Sequence, residues 1–162
     1  MALFGKTTDI DTFKIFSREL INDVISQQVG YYKPILEDTK ANIYSEGPNK
    51  VFLGPVLLNC LIDRGDFEAP VDEFGIDVVR TVKFRFLNDD LLLANVHCEA
   101  GDIVMYNELY YEVDNVNPNQ LILGKDHDYA YSTGLENFGD NYSTIIETHY
   151  TRGDKVGITQ VR

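Results

Sequence analysis

The chain has 162 residues and a formal net charge of −12, from 26 Asp and Glu against 14 Lys and Arg. That length predicts one domain able to bury roughly two thirds of its unfolded surface. The acidity excludes a nucleic-acid reader, which needs Lys and Arg for phosphates, and no apolar run approaches the length that crosses a bilayer, so no membrane partner is expected.

In chain order, Ile10, Phe13, Phe16, Leu20, Ile21, Val24 and Ile25 recur at three- and four-residue spacing. They predict a helix over 9–28 with a single apolar stripe. Thr8-Asp9-Ile10-Asp11 resembles a capping box at its start. Ile15 falls on the side opposite the stripe; a single exposed Ile is normal and is the favoured reading, with a contact to a neighbouring subunit as the alternative. Gly30 and Pro34 around Tyr31-Tyr32 predict an extended arm over 29–36. Brief pairing over 42–44 and a turn at Gly47-Pro48-Asn49 follow. Residues 51–62 are apolar on both faces apart from Asn59, which predicts a central strand bent at Gly54-Pro55.

Residues 63–77 then carry Asp63, Asp66, Glu68, Asp72, Glu73 and Asp77 against Arg64 alone, six acids minus one base, or −5. Gly65, Pro70 and Gly75 punctuate what reads as a long acidic loop, and such loops tend to be functional or mobile. Residues 78–86 alternate, with Val82, Phe84 and Phe86 on one face and Thr81, Lys83 and Arg85 on the other, the signature of a half-buried strand. Asn88-Asp89-Asp90 predicts a short second helix through Ala94.

Three strands follow at 103–106, 110–116 and 121–123, with turns at Asn107-Glu108 and Asn117-Pro118-Asn119. Pro118 lacks an N–H and is placed at a corner. This completes a β core over 42–124. Residues 125–142 show no period and predict an irregular excursion. A strand over 144–151 and the turn Arg152-Gly-Asp-Lys155 belong to a C-terminal strand and tail, 143–162. The sum is a mainly β domain, a small barrel or sandwich, with one N-terminal amphipathic helix and a short second helix; α+β is the fallback.

Catalytic and cofactor signatures are absent. No Walker loop, G-x-G-x-x-G, G-x-S-x-G or H-E-x-x-H occurs, and no cofactor is expected. His97, Cys98, Cys60 and a second His lack zinc spacing, and Asp126-His127-Asp128 lacks the pattern of a calcium loop. Cys60 and Cys98 read as buried free thiols of a reduced fold. Met1 to Thr8 lacks the apolar core of a secretory signal. The Asn141-Tyr142-Ser143 sequon is therefore read as chance, and the tripeptides Arg64-Gly65-Asp66 and Arg152-Gly153-Asp154 as turns without an extracellular role. A ligand-binding barrel or enzyme remains the rival from another class, with its site among Tyr106, Tyr110, Tyr111 and His127.

The run from Phe74 to Leu91, together with Gly101-Asp-Ile-Val-Met-Tyr-Asn-Glu-Leu-Tyr-Tyr-Glu-Val113 and Asn119-Gln-Leu-Ile-Leu-Gly-Lys125, resembles the neck, or head-completion, proteins of T-even-like contractile-tailed bacteriophages. It is also similar to small β-barrel stoppers of other tailed phages. The resemblance spans residues 9 to 125 and is a pattern of strands and turns. It implies a non-enzymatic virion protein, built in the host cytoplasm, that forms a homo-oligomeric ring in the neck, with a hexamer as the expectation. Such a ring closes the head after DNA packaging and joins head to tail. Its implied partners are its own copies, the portal or another neck protein, the tail terminator, and DNA passing through the lumen without sequence-specific binding. A tail terminator or connector adaptor is the alternative within the class.

Under that reading six copies would carry six times −12, or −72, and an acidic lumen would let DNA slide by repulsion. The acids of 63–77 become the lumen or gating element. Ile15, Tyr31 and Tyr32 become the contacts between subunits.

Overall fold

The computed structural model describes residues 7–35, 50–65, 71–72, 75–76, 80–121 and 141–157. Helix α1 (Thr7–Glu19) passes into a π-helical turn, Leu20–Ile25, and ends at Ser26, whose φ of 47° is left-handed and whose N–H donates to Ile21 O at 2.9 Å. The strands are β1 (Gln28–Tyr32), β2 (Val56–Asn59), β3 (Leu61–Arg64), β4 (Val71–Asp72), β5 (Gly75–Ile76), β6 (Thr81–Leu87), β7 (Ile103–Tyr106), β8 (Leu109–Leu121) and β9 (Asn141–Thr151). Helix α2 (Asn88–Leu93) follows β6, and the one-turn helix α3 (Gly153–Val156) follows β9. The fold is mainly β, as its alternating segments predict. No described helix is long and apolar enough to cross a membrane.

One antiparallel sheet has the order β2-β1-β7-β8-β9-β6-β3. Its two outermost strands are separated in the chain by Cys60 alone. Two residue steps span at most about 7 Å, so the sheet must curl until its ends meet. The segment 56–64 thus acts as one bent strand, its first half paired with β1 and its second with β6. The result is a barrel. Its interior takes alternate residues from every wall: Val29 and Tyr31, Leu58 and Cys60, Val82, Phe84 and Phe86, Val104, Tyr111 and Val113, and Ile146. Leu91 of α2 and Cys98 join that core. A smaller outer cluster packs Tyr32, Ile103 and Tyr110 under Val156 of α3.

Several sequence expectations change here. The described part of the expected extended arm 29–36, residues 29–35, does not stand clear of the domain. Its first part is β1, hydrogen-bonded on both sides, with Tyr31 1 % and Tyr32 9 % exposed. Subunit contacts through these two tyrosines are therefore given up, since both side chains are used inside the subunit. The expected central strand 51–62 is a bridge at Phe52, then β2, then β3. It lies where the sheet's ends join, which sequence apolarity does not reveal.

The predicted turn at 107–108 forms, with Asn107 and Glu108 both at positive φ as a tight primed hairpin requires. The predicted turn at 117–119 does not. β8 runs on through Pro118, and the ladder with β9 jumps from Asn117↔Ile145 to Gln120↔Ser143. Proline is tolerated because it occupies the irregular step, where two residues face one.

Candidate interaction surfaces

Helix α1 is the first surface. Its position is fixed by polar contacts: Lys14 Nζ lies 3.5 Å from Asp89 and Arg18 Nε 3.3 Å from Asp90, both on α2. Asn22 donates to Asp90 Oδ2 at 3.1 Å and accepts from Asn59 Nδ2 at 3.0 Å. Of the stripe's described side chains Ile21 is buried. The others face water: Phe13 is 52 %, Phe16 64 %, Leu20 48 %, Val24 74 % and Ile25 44 % exposed. At 100° per residue, Lys14, Arg18 and Asn22 share one side and Phe13, Phe16, Leu20 and Val24 the other. The helix thus turns its polar side to the domain and its apolar side outward.

The amphipathic stripe was legible in sequence, and its direction was not. Four such side chains expose on the order of 400 Å², the size of the largest patch on a typical monomer, which is often functional. Ile15 is also exposed and lines a shallow groove with Lys14, Arg18, Leu87 and Tyr142. Further large apolar side chains are exposed at Val51, Leu53, Val56 and Leu57, and at Leu92 and Leu93 of α2.

The second surface is the barrel mouth at the start of β6, the end opposite α2. A cleft of about 520 Å³ opens there between Arg64, Gly65, Arg80, Thr81, Tyr106 and Tyr111. Arg64 continues the inward series Cys60, Ile62, and Arg80 continues the series Val82, Phe84, so both guanidiniums stand at the rim on the inward side. Arg64 donates to the Tyr106 hydroxyl, and its guanidinium carbon lies 5.2 Å from the Tyr106 ring centre. Tyr106 packs edge-on to Phe84, Phe84 to Tyr111, and Tyr111 to Tyr150, with centroids 5.9–6.2 Å apart. Burial raises the Tyr111 phenol above its ordinary value, while the charges of Arg80 and Arg64 pull it back. A Cβ at Gly65 would sit 2.6 Å from Thr81 Oγ1 and 3.1 Å from its carbonyl oxygen, so a larger residue on this rim would force Thr81 to shift.

The expected site residues distribute unevenly. Asp63 lies on β3 with its carboxylate 3.4 Å from Arg85, on the face away from the mouth. Asp72 belongs to β4, whose backbone pairs with β5 through Val71↔Ile76 and Asp72↔Gly75. Asp66, Glu68, Glu73 and Asp77 lie outside the described residues, as does His127. Of the tyrosines proposed for a ligand site, Tyr106 and Tyr111 meet at the mouth while Tyr110 faces the outer cluster. The two arginines were missed. Their signal was parity, since each extends an inward-facing alternation past its last apolar member.

Among the described residues, no three His, Cys, Asp or Glu side chains gather as a metal site. Cys60 and Cys98 are free and buried. No known family model matches the chain, and no curated protein matches it.

Proposed function

We propose that the protein is a non-enzymatic structural subunit that works by self-association, as a ring in the neck of a tailed bacteriophage between portal and tail. The observation that carries the self-association is the outward apolar side of α1. A solvated helix normally hides that side against its own domain. Here ion pairs and amide hydrogen bonds hold the opposite side down instead. A ring needs two unlike patches that meet head to tail, and exposed apolar side chains at 51–57 and at Leu92 and Leu93 offer a second one. The phage setting rests on the resemblance of residues 9 to 125. The net charge of −12 per subunit suits a channel that DNA passes without being held.

Sedimentation of the purified chain tests the association. A closed oligomer is expected, and Phe16→Asp should reduce it to folded monomer, since Phe16 contributes little to the subunit's own core. An unsubstituted chain that sediments as a monomer at every concentration overturns the reading.

A further inference from the structure

The barrel mouth carries two guanidiniums and tyrosine faces in a chain where acids outnumber bases 26 to 14. A cleft of this composition selects a partner with carboxylates and apolar side chains together. Arg64 is held against Tyr106, yet a guanidinium has five N–H donors in a planar fork, so it can still meet a carboxylate side-on.

One chain segment matches that chemistry. Between Gly65 and Arg80, residues 66–79 hold five acids, no Lys or Arg, and both Phe67 and Phe74. The segment leaves and re-enters the domain at the rim of the mouth itself. Its middle is braced by the β4–β5 pairing, and Asp72 stands seven residues from the rim, a reach of up to about 20 Å. Self-association, as proposed above, would offer each mouth the acidic segment of a neighbour.

We propose that the mouth formed by Arg64, Arg80, Tyr106 and Tyr111 is a docking site for the acidic segment 66–79 of a second copy of the chain. The contact pairs carboxylates with the rim guanidiniums and Phe with tyrosine faces. It rests on the self-association proposed above, and adds to the α1 face a salt-sensitive link between neighbours. Seated in a neighbour's mouth, part of the acidic segment would serve as a clasp and be withdrawn from the lumen.

Cysteine trapping in the full-length chain tests it. Chains carrying Glu73→Cys and chains carrying Asn107→Cys are mixed and oxidised, and in parallel one chain carries both substitutions. Disulfide-linked dimers are expected from the mixture, and linked ladders from the double variant. Adding Arg64→Ala with Arg80→Ala should slow linkage at least about tenfold, equivalent to ~1.4 kcal/mol; Arg85→Ala, on the opposite face, should leave it unchanged. Three results overturn the proposal: no linkage, an internal disulfide within single chains of the double variant, or linkage indifferent to the rim arginines. Sedimentation of the same samples separates the two readings. Rings that give only internal disulfides sink the clasp and leave the ring standing, and a chain that never associates sinks the ring.

Discussion

Asp102 shows how single residues hold this barrel. It is 1 % exposed, and its Oδ2 accepts from the Tyr31 hydroxyl and from the Glu99 N–H at 2.9 Å. Its main chain closes the entry to β7, with Val113 N–H donating to Asp102 O at 2.9 Å. The turn before β7 is thereby tied to β1. Burial also raises the Tyr31 phenol far above its ordinary value and pushes the Cys60 thiol from 9.0 to about 12. Both groups keep their protons when folded and release them more readily when unfolded. Above the unfolded value the unfolded chain binds fewer protons, so stability falls as pH rises. The urea midpoint is therefore expected to vary little from this source up to about pH 9 and to decline between about 9 and 12. Cys60→Ala should flatten that decline while lowering the plateau, because it leaves a cavity.

At the scale of elements, α1 depends on α2. Asp90 meets both Arg18 and Asn22, so Asp90→Ala removes two of the contacts that hold the polar side of α1 inward. Losing one such hydrogen bond costs ~1 kcal/mol, which raises local opening about fivefold. Amide exchange is expected to quicken across 11–25 while β6 to β9 keep their protection. Equal quickening in helix and barrel would mean that α1 is integral to the core. β6 illustrates the reverse dependence: its alternation places Val82, Phe84 and Phe86 in the barrel whichever neighbours it acquires.

At the scale of the whole molecule, the barrel joins two surfaces that face different tasks. The apolar side of α1 supplies area, and the charged mouth supplies a contact that salt can loosen. Removing residues 66–74 takes away four of the five acids of that segment and none of the described core, so the subunit should keep its cooperative unfolding. Under the proposed neck role, particles assembled with that deletion are expected to leak DNA or to fail at tail joining. Normal infectious yield from them would dismiss a role for the segment in closure or joining.

What could be read from the chain was whatever local chemistry fixes. Period two set β6, the Asn107-Glu108 turn joined β7 to β8, and three- and four-residue spacing set α1. These depend on backbone sterics and side-chain direction within a few residues, which sequence carries directly. Tertiary structure alone decided the rest. It curled the sheet so that 56–64 serves two walls, buried Tyr31 and Tyr32, and carried β8 through Pro118 because β9 was there to pair with it. It also turned the stripe of α1 toward water, since Asp89 and Asp90 had already claimed the other side. Each of these outcomes depends on partners distant in sequence, and no local pattern records which partner will arrive.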